Sequence, residues 1–287
     1  MTRTANVGTR ARVFPTPKPR RAQAMPTIQE VVVSPVILRL CLGAAGAALA
    51  GFGAWRMGWL DSTGAWVAAV VGLAVFGGVG WPGALALLGF FVTSSLLGRL
   101  PGRPGGRTHR ARSFRQVLAN GAVAALAALV YAGGGGGRAL AAVIGALAAA
   151  NADTWATELG TRSRATPRHL WFGRPVAAGA SGGATAQGVL GSVAGALVIA
   201  LCGLTAGVAW WVAGVAGLVG SATDTLAGGT VQGLYRCPSC GRLVEDVRHG
   251  CPGDPIRVRG FRHLDNDAVN LLATIVGAAV GAAFGRV

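Results

Sequence analysis

Eight apolar stretches follow one another along the chain, each separated from the next by a short polar, glycine-rich or arginine-rich segment. They cover residues 34–55, 62–80, 81–98, 116–132, 138–150 running on into 160, 184–203, 205–227 and 268–284. Several reach the roughly 20 residues that carry a helix across a hydrocarbon core of about 30 Å. The pattern predicts an all-α, polytopic transmembrane bundle of about seven to eight helices. Glycine and alanine are abundant in these stretches, which suits close packing in lipid, where small side chains let backbones approach. The GGGGG run at 133–137 reads as a flexible turn between two helices.

Composition points the same way. Of 287 residues 52% are apolar and 13% charged, with a mean hydropathy of +0.51, so a water-soluble domain would have nowhere to put its hydrophobic surface. The N-terminus differs: residues 1–30 hold six cations and several prolines and no apolar run. Residues 1–33 are expected to be a basic, disordered cytoplasmic tail, and a poor signal peptide for want of a clear small-residue cleavage site. The integral-membrane domain then covers 34–287, with 228–264 as a polar loop.

If all eight stretches cross, the loops 99–115, 161–175 and 228–264 share one side, and they hold six, four and six arginines. The positive-inside rule makes that side the cytoplasm. The same alternation places the basic tail on the other side, against the rule. One early segment is therefore suspected of being re-entrant or non-spanning, with the pair around GGVGWPG at 77–83 the first choice. The net charge of +16 does not point to nucleic acid, because the basic residues sit in loops between apolar segments and form no patch interleaved with aromatics. All but one (Lys18) of the 26 cations are arginine. Arginine suits bidentate phosphate binding, and a genome-wide codon bias gives the same count.

The chain has ten acidic residues, and five of them (Asp153, Glu158, Asp224, Asp265, Asp267) lie within or at the ends of apolar helices. A charge at membrane depth costs at least ~2.5 kcal/mol, which makes such residues functional candidates. In NADTWATELG, Asn151, Thr154 and Glu158 share one helical stripe and Asp153 and Thr157 the adjacent one. Hard oxygen donors of this kind (Asn151, Asp153, Glu158) suit Mg²⁺, which binds through one or two carboxylates plus substrate phosphates; a polar-capped helix end is the alternative. In GSATDTLAGG, Asp224 stands beside a smooth stripe of Gly220 and Gly228, as a further metal or hydroxyl partner or as an interhelical hydrogen bond. RHLDNDAVN opens the last helix: Asp265 is a candidate N-cap, and Asp267 and Asn270 share a face.

Anion-binding candidates lie nearby. AAGASGGAT leads into a helix, and a glycine-rich turn there (Ser181, Gly182, Gly183) offers backbone N–H groups to phosphate. RSFRQVLANG places Arg112, Arg115, Gln116 and Asn120 at a helix start on the arginine-rich side, with Arg262 in the last loop; snorkelling interfacial arginines are the alternative for Arg112 and Arg115. The loop CPSCGRLVEDVRHGC supplies Cys237, Cys240, His249 and Cys251, a spacing that matches a four-ligand structural Zn²⁺ site, against reduced or redox-active thiols. Cys41 and Cys202 fall in apolar helices and read as packing residues.

In that order, RQVLANG, NADTWATELG, the AAGASGG turn, GSATDTLAGG, the cysteine loop and RHLDNDAVN resemble the integral-membrane family catalogued as domain of unknown function 92, which includes transmembrane protein 19 and the plant phytyl-phosphate kinase. The resemblance runs from about residue 35 to the C-terminus. It implies a membrane-embedded kinase that moves a phosphoryl group from a nucleoside triphosphate, with CTP the donor it suggests, to an isoprenyl monophosphate held in the membrane. Where the family often has a serine in the first motif this chain has Thr157, which keeps the hydroxyl. In that chemistry Mg²⁺ on Asp153 and Glu158 and arginines on the phosphates would neutralise charge, with Asp224 or Asp267 holding metal or orienting the acceptor. A transporter or channel also uses intramembrane carboxylates, but should show two related halves and broken helices near the midplane. A membrane scaffold with a zinc loop is the third reading. Gly- and Ala-rich faces pack equally well within one chain or between two, which leaves a homo-oligomer open.

Overall fold

The computed structural model describes residue 2 and residues 35–101, 111–177, 179–245 and 251–285. The predicted basic tail, the arginines of 102–110 and His249 therefore lie outside the described residues. The helices are α1 (Pro35–Arg56), α2 (Ser62–Val79), α3 (Trp81–Arg99), α4 (Phe114–Ala132), α5 (Gly136–Gly160), α6 (Ala186–Leu204), α7 (Trp210–Thr230) and α8 (Asn266–Phe284). Among the described residues seven of these are long and apolar enough to cross a membrane. The exception is α7, whose second half carries Ser221, Thr223, Asp224 and Thr225. The rest is short strand: β1 (Arg168–His169) pairs with β2 (Gly183–Ala184), and β3 (Leu234–Arg236) pairs on its two edges with β4 (Leu243–Val244) and β5 (Ile256–Arg259).

Local chemistry sets the helix ends. Asp61 caps α2 by accepting from Gly64 N at 2.7 Å, Thr185 caps α6 from Gly188 N at 3.1 Å, and Asp265 caps α8 from Ala268 N at 3.0 Å. The Gly64 N–H is also the main cause that holds the Asp61 carboxyl below its ordinary pKa. At α4 the Gln116 Oε1 accepts from Ser113 N at 3.1 Å, so that helix starts two residues earlier than its apolar run. By contrast α7 starts later, at Trp210, because residues 205–209 turn through Gly207 at φ 77°.

Contacts between helix ends fix the up-and-down order. Arg39 near the start of α1 donates to Phe76 O near the end of α2 at 3.2 Å, and Arg99 at the end of α3 donates to Met57 O just after α1. Arg162, just past α5, donates to Leu97 O and Leu100 O at 2.8 and 2.7 Å, and Arg115 in α4 meets Asp265 before α8. The ends of α1, α3, α5 and α7 and the starts of α2, α4, α6 and α8 thus share one face, hereafter the loop face. The gathering of the later loops follows as the sequence predicts. The suspected re-entrant pair consists of two helices of 18 and 19 residues, α2 and α3, that pack against each other as a hairpin. Its turn is Gly80 alone, at φ 81°, where a Cβ would sit 2.8 Å from Arg39 Nη2.

The core is α5, buried without interruption from Ala139 to Ala152. Around it stand α3, α4, α6, α7 and α8. An alanine-rich helix can take this place because lipid tails are as apolar as leucine, so helix association in a membrane rests on close van der Waals contact. The closest approach is to α8: a Cβ on Gly145 would lie 2.3 Å from Gly277 O. We expect Gly145→Ala to push the two backbones apart and cost about 1–3 kcal/mol, read as a lower Tm in detergent. Gly46→Ala is the control: nothing lies within 4 Å of its would-be Cβ, so its Tm should hold or rise.

Candidate active site

Burial along α5 stops at Asp153, and there the bundle opens towards the loop face into a cleft of about 440 Å³. Asp153, Thr154, Thr157 and Glu158 of α5 line it, opposite Ser221, Asp224 and Thr225 of α7. Gln116 and Asn120 of α4 and Asn266 and Asn270 of α8 supply amide groups, and Thr185, Gly188 and Ser192 of α6 form another wall. Polar groups from five helices and five sequence motifs thus meet in one space. Val189 and Leu218 also line the cleft while remaining 52% and 39% exposed on the bundle surface, so between α6 and α7 the cleft borders the lipid-facing side.

The floor is a carboxyl pair. Asp153 and Asp224 lie within hydrogen-bonding reach of each other. Asp224 Oδ2 is buried with no hydrogen-bond partner among the described residues. Two carboxyl groups this close cannot both keep a full negative charge without a proton or a cation between them. A third carboxylate, Glu245, stands close enough for its charge to bear on Asp224. Its Oε1 accepts from Ser181 N at 2.9 Å and its Oε2 from Gln232 Nε2 at 3.2 Å. Sequence reading missed Glu245, because it follows a two-residue strand in a polar loop, where no periodicity ties it to the helices. A hard divalent cation fits this donor set: oxygen ligands only, with one buried oxygen unused.

Two of the predicted Mg²⁺ ligands behave differently. Glu158 lines the cleft but is paired with Arg162 Nη1 at 2.8 Å. Asn151 is fully buried outside the cleft lining, with Nδ2 donating to Gly195 O at 2.8 Å and Oδ1 accepting from Thr93 Oγ1 at 3.3 Å. Its position is corrected from metal ligand to a polar tie between α5, α6 and α3. Helical spacing had put Asn151 and Asp153 on adjacent stripes, and the opening of the bundle begins between them.

The cations also separate. Arg112 lines the cleft, its guanidinium carbon 5.8 and 5.9 Å from the Phe90 and Phe91 ring centroids and Nη2 donating to Ser94 Oγ at 3.0 Å. Burial pulls its pKa below that of an ordinary arginine, and the charge of Glu158 opposes this. The backbone of Arg112 is bonded to Trp59 O and Asp61 N, which fixes the residue ahead of α4. Arg115 does not line the cleft: it pairs with Asp265 at 2.5 Å and Asp267 at 3.4 Å and ties α4 to α8. Asp267 is turned to that pair, and the α8 positions that reach the cleft are Asn266 and Asn270, one turn apart. Arg262 is exposed, away from the cleft lining.

Ser181, Gly182 and Gly183, the candidate anion-binding turn, line the cleft. Their turn is pressed onto the end of α7: at Gly182, with φ 87°, a Cβ would lie 2.2 Å from Gly229 Cα. His169, buried, supports it. Its Nε2 bonds Gly229 O at 2.9 Å, and its Nδ1 accepts from Trp171 N at 3.2 Å and Phe172 N at 3.4 Å. That network assigns a neutral ring with the proton on Nε2.

In the polar loop, the sulfur atoms of Cys237, Cys240 and Cys251 all lie within 4.8 Å of one another, and none is in a disulfide. The backbone N–H of Cys240 is the main cause that lowers the Cys237 pKa, whereas burial, then the neighbouring thiols, raise that of Cys251. Cys41 and Cys202 remain in α1 and α6.

The family described as Integral membrane protein DUF92 matches residues 45–278, a span that holds every cleft residue named above. The chain is 33% identical over 150 residues to Protein PGR of Arabidopsis thaliana, covering 47% of this chain and 50% of that protein. It is 32% identical over 229 residues to the uncharacterized membrane protein MJ0933 of Methanocaldococcus jannaschii, covering 77% of this chain and 84% of that protein. The chain thus spans half the length of the plant relative. No solved structure matches it.

Proposed function

This chain belongs to the DUF92 family of integral membrane proteins, and on that premise we propose that it is a membrane-embedded, Mg²⁺-dependent isoprenyl-phosphate kinase with its active face towards the cytoplasm. The donor is a nucleoside triphosphate, CTP being the first to test, and the acceptor a lipid monophosphate. The observation that carries this reading is the Asp153–Asp224 pair, with its unused buried oxygen, on the floor of a cleft that is polar at the loop face and apolar between α6 and α7. Asp153 and Asp224 would hold the ion; bound there, Mg²⁺ neutralises phosphate charge.

The chain's own residues supply the rest. Phosphoryl transfer asks a protein mostly for positioning and for charge stabilisation. Arg112 offers its guanidinium fork to phosphate oxygens, while the amides of Gln116, Asn120, Asn266 and Asn270 orient them. An acceptor oxygen forms the new bond to the γ-phosphorus as the bond to the nucleoside diphosphate breaks. Because the acceptor phosphate is already anionic near pH 7, no side chain has to act as a strong base. The lipid tail leaves past Val189 and Leu218. A transport path would have to continue beyond the cleft, but α5 is buried from Ala139 to Ala152, and the polar side chain in that run, Asn151, is bonded to its neighbours.

The test is transfer from labelled CTP and ATP, with Mg²⁺, to phytyl and geranylgeranyl monophosphate by the purified protein in detergent. Diphosphate product that disappears on chelation supports the reading. No product from any pairing, in protein shown to be folded, would move the weight to another lipid-phosphate reaction or to transport.

A further inference from the structure

We propose that Cys237, Cys240 and Cys251 bind a Zn²⁺ ion that fixes Glu245 beside the cleft, so that a thiolate site in the polar loop sets the geometry of the turn at 179–183. The metal site rests on its own geometry and stands or falls independently of the phosphotransfer reading.

Three thiolates around one tetrahedral zinc have sulfurs about 3.8 Å apart, given Zn–S bonds of about 2.3 Å. The three sulfurs here already lie within 4.8 Å of one another, brought together from two segments of the loop. Cys237 directly follows β3, Cys240 lies in the turn to β4, and Cys251 precedes β5. One ion would therefore tie both neighbours of the central strand β3, with a fourth donor completing the tetrahedron. The turn is built for it: Gly241 at φ 69° donates from N to Cys237 O, and Cys237 N donates to Arg242 O, each at 2.9 Å.

Why the sheet needs such a clip follows from its size. Strands of two to four residues cannot bury enough apolar surface to hold their own register. Register matters here because Glu245 comes one residue after Val244, which is paired with Tyr235. A slip of one residue would turn Glu245 to the other face of the sheet. In register, Glu245 joins Ser181 N to the buried Gln232, whose own N–H bonds Ala227 O at 3.0 Å at the end of α7. A single carboxylate thus connects the cysteine site, the glycine-rich turn and the Asp224 helix, which makes Glu245 a positioning residue.

The experiment uses the full chain in detergent, with metal content and hydrogen exchange as readouts. One zinc per chain should be present, and cobalt substitution should give sulfur-to-cobalt charge-transfer bands together with tetrahedral d–d bands; Cys240→Ser should lose both. Stripping zinc should speed exchange of the Ser181 amide by about tenfold, the effect of freeing one hydrogen-bonded amide. Glu245→Ala should give the same faster exchange at Ser181 while keeping its zinc, which separates the carboxylate's role from unfolding of the loop. A chain that carries a disulfide in place of metal, or a Ser181 amide indifferent to zinc removal, would overturn the proposal.

Discussion

Asp153→Asn and Asp224→Asn should each lower phosphoryl transfer about a thousandfold, on the order of 4 kcal/mol at the transition state, while leaving the protein at least as heat-stable as the native form. On the proposed reading the two effects have opposite signs, because two carboxylates placed to hold a cation repel each other when they are not holding one. An amide in either position can donate a hydrogen bond to the remaining carboxylate, which removes the like-charge contact; in Asp153→Asn that carboxylate is Asp224, whose Oδ2 is otherwise unpartnered. What the amide cannot do is hold a divalent cation against triphosphate oxygens. The check is kcat at saturating Mg²⁺ beside thermal unfolding in the same detergent. Loss of stability along with activity would mean that the pair glues α5 to α7 and does no chemistry, and full activity in either variant would place the reaction elsewhere.

That pair also marks how far the sequence could be read. Helix number and order were legible because each span must satisfy its backbone within itself, so apolar length alone locates it. The ends were legible within a few residues wherever a cap stood: Asp265 was a foreseeable N-cap, and Gly207 interrupts what otherwise reads as one apolar run to Thr205. The carboxylates of the cleft were legible as candidates, since a charge at membrane depth is costly. Which carboxylate faces which was not. Helical spacing places Asp153 and Glu158 on adjacent stripes of α5, but only the packing of α7 against α5 brings Asp224 to Asp153, and only the position of Arg162 ties up Glu158.

Long-range partners explain the remaining misses. Arg115 and Asp267 are 152 positions apart in sequence, and their meeting depends on α4 and α8 starting side by side on the loop face. His169, flanked by no motif, becomes the support of the glycine-rich turn because Gly228 and Gly229 stand near the end of α7, so that its Nε2 can reach Gly229 O. In this bundle small residues decide which polar groups meet, and their effect is visible only once the helices are packed.

Arg112 gives the second large effect, and three substitutions separate its charge from its packing. Arg112→Ala should lower kcat/KM for the nucleotide about a hundredfold, roughly 2.7 kcal/mol, and should also lower Tm, because it removes both the phosphate fork and the contact with Phe90, Phe91 and Ser94. Arg112→Lys should recover part of the activity, since it restores the charge without the planar fork. Arg112→Met is the decisive case. An apolar chain of similar length can lie on the two rings, and replacing a largely buried charge by a well-packed apolar group is often neutral or stabilising. Its Tm should stay near that of the native protein while transfer falls as far as in Arg112→Ala, with the loss appearing mainly as a raised KM for the triphosphate. A methionine variant that keeps both its Tm and its activity would reduce Arg112 to a packing residue, and the donor phosphates would then have to be held by the turn at 179–183 and the amides of α4 and α8.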